Sequence, residues 1–451
     1  MYELFAKFNL RCKKQQTGFS AEENQTDFGS RFLKNILPYA LSVFCGTAIT
    51  FICAGLYYFL LFIQNFALGN EENFSFESCK KNFPQIFVSS AVAAAVWALL
   101  QHYCGKIKSV SDAVKGEKLP FFKTAVHIFA QIYVSGSGLS VGREAAARQA
   151  GTLAGQTFAR YLPLSKREAE LTVACAAAAG FAGVYGSAAA GMFFALEILL
   201  SKIDLKAIIV CFLTCFSTSA GTGFFIKDDK PLFELENPCF SQSFAIFSLI
   251  CAPLFGFVGA AFRETVKKAA RRRAKGARIL LFLPAAGLLT AIIAHIMPQI
   301  SGNGIFAVRF SLLSVRENAV AILFATAIVK FVLTCLTLRS GAYGGTIMPA
   351  IAVGACAGGC LAGVLANIFP YMHFSASIFV LLGSCIVLSV SQKAAFMSVF
   401  LIFELLKAPA ALFFPILLCC FLACETDKLL FGNINRKLRQ KTNMTDSATS
   451  F

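Results

Sequence analysis

Charge is scarce in this sequence. Only 14% of its residues are Asp, Glu, Lys or Arg, while 57% are hydrophobic; a soluble globular domain is about half apolar and about 25% charged. A water-soluble core cannot hide that much apolar surface, and with a mean hydropathy of +0.67 the natural solvent is a bilayer. Histidine is scarce too, with four residues, and no C-x-x-C pair occurs among the 17 cysteines, so neither a zinc site nor any other metal or cofactor is expected. Most cysteines, including Cys215, Cys335, Cys356, Cys385, Cys419 and Cys420, lie inside apolar runs and read as small packing residues. Cys79 and Cys239 alone fall in polar loops placed outside the cell, where a pairing is open. The absence of H-E-x-x-H and of paired aspartates within the runs argues against an intramembrane enzyme. The first 27 residues lack the apolar core of a signal peptide and predict a short cytoplasmic helix.

What charge there is is mostly positive, a formal net +17, and the basic residues are clustered. Lys7, Arg11, Lys13, Lys14, Arg31 and Lys34 precede the first apolar run. A second cluster runs from Lys267 to Arg278, and Arg436, Lys437, Arg439 and Lys441 follow the last run. No basic helix or RNA motif stands apart from the membrane, so nucleic acid is not the expected partner. The positive-inside rule instead puts both termini and the 266–278 loop in the cytoplasm, and the bacterial inner membrane is the expected location.

Apolar runs make up two halves, about 36–226 and 242–435, interrupted mainly by polar stretches at 68–83, 227–241 and 263–278, between an N-terminal segment 1–35 and a polar tail 436–451. Their lengths scatter widely around the ~20 residues of a simple spanning helix, and several are broken by glycine, as in transporters and channels. Two segments repeat. SGLSVGREAAARQAGTLAG (137–155) matches SGAYGGTIMPAIAVGACAG (340–358), with Gly138, Gly142, Gly151 and Gly155 falling on Gly341, Gly345, Gly354 and Gly358. GMFFALEILL (191–200) matches SVFLIFELLK (398–407) more weakly, placing Glu197 on Glu404. The chain therefore reads as two related halves; in transporters such halves often have inverted topology and enclose a site near the midplane.

The glycines before Gly142 discourage helix, while the run from Glu144 to Arg148 favours it, so a helix is expected to start near Gly142 at membrane depth. Its first four N–H groups have no intrahelical partner and lipid offers none. With the helix dipole, these amides form an anion site. Gly345, Thr346, Ile347, Met348 and Pro349 predict a second helix start facing the same point. The candidate anion-binding backbone is thus Gly142, Arg143, Ala145 and Ala146 with Gly345, Thr346, Ile347 and Met348. Glu144, an ionisable residue at that depth, is the candidate gate and proton carrier, because its carboxylate competes with a mobile anion for the amides. Arg143 reads as structural, and Lys330 as a side chain that snorkels to the surface. Glu404 and Lys393 read as a pair or as helix-end residues.

These segments resemble the CLC family of chloride channels and chloride/proton antiporters. GREAAARQAG resembles that family's GREGP segment, SGAYGGTIMP its SGAPGGxFxP segment, and residues 176–199 its Gly/Ala-rich stretch. The resemblance spans roughly residues 36–435. It implies an all-α integral membrane protein of about eighteen helices in two inverted repeats, several of them broken or partial, assembled as a homodimer. It also implies chloride or another small anion as substrate, no catalytic chemistry, and no C-terminal regulatory domain here. It carries the gating glutamate onto Glu144. Three further carry-overs depart from the family pattern. The anion-touching tyrosine falls on Phe431, the anion-touching serine near Lys106 or Ile107, and the proton-relay glutamate on Ile198, one residue after Glu197. Isoleucine takes up no proton, which favours a passive channel, with chloride/proton exchange and fluoride-selective transport as alternatives.

Overall fold

The computed structural model describes residues 23–67, 83–104, 108–162, 164–226, 242–316, 320–369, 371 and 375–429. Phe431, Lys106, Ile107, Cys79, Cys239 and the segment before residue 23 lie outside the described residues. Among the described residues the regular structure is helical, and the one β-bridge joins Gly142 to Gly345. The first half contains α1 (Glu23–Ala67), α2 (Phe83–Cys104), α3 (Val110–Val114), α4 (Phe121–Gly136), α5 (Glu144–Tyr161), α6 (Lys166–Tyr185), α7 (Ala188–Phe194) and α8 (Leu205–Phe225). The second contains α9 (Gln242–Arg271), α10 (Arg278–Ile296), α11 (Ile305–Arg316), α12 (Val320–Arg339), α13 (Ile347–Ile368), α14 (Ala376–Gln392), α15 (Ala395–Leu406) and α16 (Ala410–Leu429). Eight of the described helices are long and apolar enough to cross a membrane, whereas α14 and α15 are short. Large apolar side chains such as Phe62, Phe216, Phe257 and Phe414 are exposed on the outside of the bundle, as a lipid-facing surface requires.

The repeated glycines are helix crossings. In the first half α5 packs on α6, and a Cβ built on Gly151 would lie 2.1 Å from the Ala176 carbonyl oxygen, one on Gly180 2.2 Å from that of Ala147. In the second half α13 packs on α14 in the same way, Gly354 against the Gly383 carbonyl (2.4 Å) and Gly383 against that of Gly354 (2.3 Å). Close backbone approach of this kind holds helices together where hydrophobic burial gives them no mutual preference over lipid. The second repeat has its own counterpart. Gly186 ends α6 and Lys393 ends α14, both in the left-handed conformation (φ 65° and 59°), and each is followed by a short helix, α7 or α15.

Three of the helices that start at the basic end of the bundle carry their own caps. Ser109 and Asp112 form a capping box on α3, Ser165 and Glu168 one on α6, and Asp204 accepts the Ala207 N–H of α8. This end is laced by exposed ion pairs, Lys108–Glu117, Arg167–Asp204 and Lys206–Glu168. The Lys206 ammonium, with Ser165, holds the Glu168 carboxyl below the usual carboxylate range. Deeper, the Arg263 guanidinium meets Asp427 through two bonds of 2.8 and 2.9 Å and donates to the Val390 carbonyl, tying α9 to α16 and α14. The helices that start inside the bundle, α5, α7, α13 and α15, have no side-chain cap of their own.

One expectation fails here. Lys330 does not reach the surface: it is fully buried, and its ammonium donates to the carbonyls of Ile300 (2.8 Å) and Gly302. The turn between α10 and α11 offers carbonyls that no helix uses, so the ammonium is satisfied inside the protein and gains nothing by snorkelling. The same turn is bound to the first half, since Gly302 N–H donates to the Gly138 carbonyl at 2.9 Å.

Candidate functional site

The loops that end at Gly142 and Gly345 meet face to face. Each glycine N–H donates to the other's carbonyl, both at 2.8 Å. This bridge occupies both glycine peptides, and α5 starts at Glu144 with Arg143 as N-cap, slightly later than Gly142, while α13 starts at Ile347 with Thr346 as N-cap. Pro349 occupies the first turn of α13, where its missing N–H costs nothing.

The Glu144 carboxylate lies in the slot between the two glycines. A Cβ on Gly142 would come within 2.0 Å of Oε2, and one on Gly345 within 1.8 Å of Oε1. No other residue type leaves that space. Glu144 is fully buried, and its Oε1 accepts the Ile347 N–H at 2.9 Å across 203 residues of sequence. Oε2 is buried without a hydrogen-bond partner. The glutamate that opens α5 therefore stands on the N-terminus of α13, where the dipole and an orphan amide attract negative charge. Met348, Ala145 and Ala146 sit in the first turns of the two facing helices.

The surrounding side chains have distinct tasks. Arg143 reaches the Val184 carbonyl (3.5 Å), lies over the Tyr57 ring (5.7 Å) and lines a small cavity. Arg148 donates from Nε to the Glu144 carbonyl and lies over Phe194 (5.2 Å). The described hydroxyl that faces Glu144 belongs to Tyr185, whose oxygen is buried, lacks a hydrogen-bond partner and lies within electrostatic reach of the carboxylate. Sequence reasoning passed over Tyr185; its only signal is a lone phenol closing an alanine-rich run.

Glu197 is engaged elsewhere. Its two oxygens accept the N–H groups of Phe396 (3.1 Å) and Met397 (2.8 Å), capping α15. Glu404, its repeat partner, stands at the start of α7, facing the Ala189 N–H. The two acids thus cap each other's helices across the halves, while Lys393 only ends α14. Glu197 and Ile198 lie in a π-helical turn, Ala195–Leu199, and Ile198 packs against the apolar core. Among the described residues no cluster of three or more His, Cys, Asp or Glu is arranged to hold a metal.

The sequence model described as voltage gated chloride channel matches residues 90–428. The chain belongs to the voltage gated chloride channel family. Curated relatives include the H(+)/Cl(-) exchange transporter ClcA of Salmonella paratyphi B and that of Salmonella newport. Each is 26% identical over 306 residues, covering 66% of this chain and 64% of the relative. The chain thus spans just under two thirds of the length of these relatives. Among solved structures, a slow cyanobacterial Cl−/H+ antiporter matches with a TM-score of 0.74 at 16% identity, over 90% of this chain and 97% of that one. A CLC-type fluoride/proton antiporter matches at 0.65 and 20% identity, over 87% and 95%. These likenesses establish the family's fold for a multi-pass membrane protein.

Proposed function

We propose that the chain transports small monovalent anions, chloride foremost, through the slot between Gly142 and Gly345, with Glu144 as its gate. The observation that carries this reading is the 2.9 Å bond from Ile347 N–H to Glu144 Oε1. A carboxylate occupies the point where two helix starts offer positive potential, so an anion binds there only when the carboxylate leaves. A backbone amide binds an anion without the grip of a full cation, which leaves it free to move on.

The mode that fits this gate is exchange for protons. Protonation removes the charge that holds Glu144 on the amide, so opening consumes a proton. The names of the relatives, H(+)/Cl(-) exchange transporters, support the same mode. A passive channel is the second reading, supported by the untitratable Ile198 at the relay position. A neighbour that carries fluoride keeps the choice of anion open to measurement. The basic end of the bundle is assigned to the bacterial cytoplasm on the positive-inside rule, and the homodimer rests on the family resemblance.

The test is chloride efflux from liposomes holding the purified chain, with internal pH recorded at the same time. Wild type is expected to release chloride and move protons the other way. Glu144→Gln is expected to release chloride without moving protons. Absence of any anion flux in both would overturn the reading.

A further inference from the structure

We propose that His127 carries protons between the basic end of the bundle and Glu144, supplying the titratable group that Ile198 cannot. The inference rests on the proton-exchange mode proposed above.

His127 lies on α4, is 3% exposed, and is held by two glutamines. Its Nδ1 is 2.8 Å from Gln149 Oε1 and 2.9 Å from Gln131 Nε2, and Gln131 Nε2 also donates to Gln149 Oε1 at 2.7 Å. Nδ1 therefore faces an acceptor and a donor together. With a proton it donates to Gln149; without one it accepts from Gln131. A histidine that only packs needs one of these partners. This ring keeps a hydrogen bond at Nδ1 in either tautomer with nothing around it moving, as a proton carrier requires.

The other ring nitrogen, Nε2, is buried without a protein partner, and so is Nε1 of Trp97 on α2. The two rings are 6.3 Å apart. Buried polar atoms left over by the protein are as a rule satisfied by ordered water, and water extends a proton path from Nε2.

The position suits a relay. Toward the basic end, the Tyr343 ring meets His127 edge-on at 4.6 Å, and the Arg273 guanidinium covers Tyr343 at 3.7 Å. Arg273 belongs to the basic segment between α9 and α10, which is tied to the end of α2 by the Gly276 N–H bond to Gln101. Toward the gate, Gln149 follows Glu144 by five residues on α5, about 7.5 Å along the axis at ~1.5 Å per residue. The groups around the ring are Trp97 from α2, Gln131 from α4, Gln149 from α5 and Tyr343, and the charges acting on it are Arg273 and Lys123.

The transfer needs no oxidant. With Nδ1 enclosed by the two glutamines, Nε2 takes up a proton from water on the cytoplasmic side, the imidazolium keeps its Nδ1–H on Gln149, and Nε2 gives the proton up again to water that leads to Glu144. Glu144 receives that proton, becomes a neutral acid, and loosens from the Ile347 amide. The ring is then neutral again, with its Nδ1–H still on Gln149.

The liposome assay tests this with His127→Gln, which keeps a polar contact but carries no proton. Proton movement is expected to fall about tenfold or more, as when a positioned proton carrier is removed, with chloride flux within about twofold of wild type. His127→Lys, still titratable, is expected to recover part of it. Should His127→Gln fail to fold, Gln131→Leu and Gln149→Leu each leave the ring in place, remove one Nδ1 partner and are expected to slow proton movement alone. Unchanged coupling in His127→Gln, or in both glutamine variants, overturns the proposal. Chloride flux without coupled protons in wild type also overturns it while leaving the Glu144-gated anion path intact, and absence of chloride flux in wild type refutes the underlying transport reading instead.

Discussion

Replacing Glu144 by alanine removes the internal competitor from the anion site, and the size of the effect follows from its geometry. One carboxylate oxygen accepts one amide, Ile347 N–H, at 2.9 Å. A hydrogen bond to a charged group contributes about 1.5–3 kcal/mol. With the seat held by that much, the open, binding-competent form is the minor one, and a mobile anion's apparent affinity is reduced by the same factor. At ~1.4 kcal/mol per tenfold, Glu144→Ala raises anion affinity by about 10- to 150-fold. Burial of the carboxylate works against the seated state, and Oε2 has no partner to offset it, so the upper figure is a ceiling. Titration calorimetry of the detergent-solubilised protein with potassium chloride, wild type beside variant at one pH, measures this directly. Equal or weaker chloride binding in the variant would refute the reasoning, because the carboxylate would then not be standing where the anion binds.

Two other substitutions test the frame around the site. Gly180→Ala places a methyl 2.2 Å from the Ala147 carbonyl oxygen and Gly383→Ala one 2.3 Å from that of Gly354; each is expected to destabilise by about 1–3 kcal/mol. Gly223→Ala, with nothing within 4 Å of the new methyl, leaves stability nearly unchanged, and size-exclusion profiles after stepwise heating separate the three. Glu197→Gln loses the charge on the cap of α15 and is expected to lower the heat resistance of the protein while leaving the proton-to-chloride ratio in liposomes unchanged. The opposite pattern, with stability kept and coupling lost, would make Glu197 a proton carrier.

Much of the site was legible in the sequence because its glycines repeat at one spacing, each for a physical reason. Gly138 and Gly341 adopt positive φ (94° and 118°), Gly142 and Gly345 make room for a carboxylate, and Gly151 and Gly354 allow helices to touch. Glu144 stood out as a lone acid opening an apolar helix. What escaped the sequence acts between segments far apart in it. Glu197 caps a helix about 200 residues away, and no local pattern announces that. Lys330 was misplaced because the spacing of apolar residues on α12 does not say that a broken turn next to it exposes carbonyls. Tyr185 and His127 are single polar residues in apolar runs, and only the packing of their neighbours gives them a role.

The three acids on internal helix starts differ in how firmly they are held, and that difference selects the gate. Glu197 spends both oxygens on two successive amides of α15, and Glu404 stands at the start of α7. Glu144 has one amide, one bare oxygen, and glycines on both sides in place of side chains that would wedge it. With a net ~0.5–1.5 kcal/mol for an ordinary hydrogen bond and up to ~3 kcal/mol for one to a charged group, a second amide roughly doubles the cost of leaving. Of Glu197 and Glu144, the one held by fewer amides is the one placed where the two halves meet. A cation in that place would hold an anion fast; the cations beside the slot are turned to backbone carbonyls, Arg148 to that of Glu144 and Arg143 to that of Val184, and Lys330 is held by two carbonyls behind the loops. The slot between Gly142 and Gly345 therefore offers dipoles rather than fixed charge, and occupancy passes between a tethered carboxylate and a free anion.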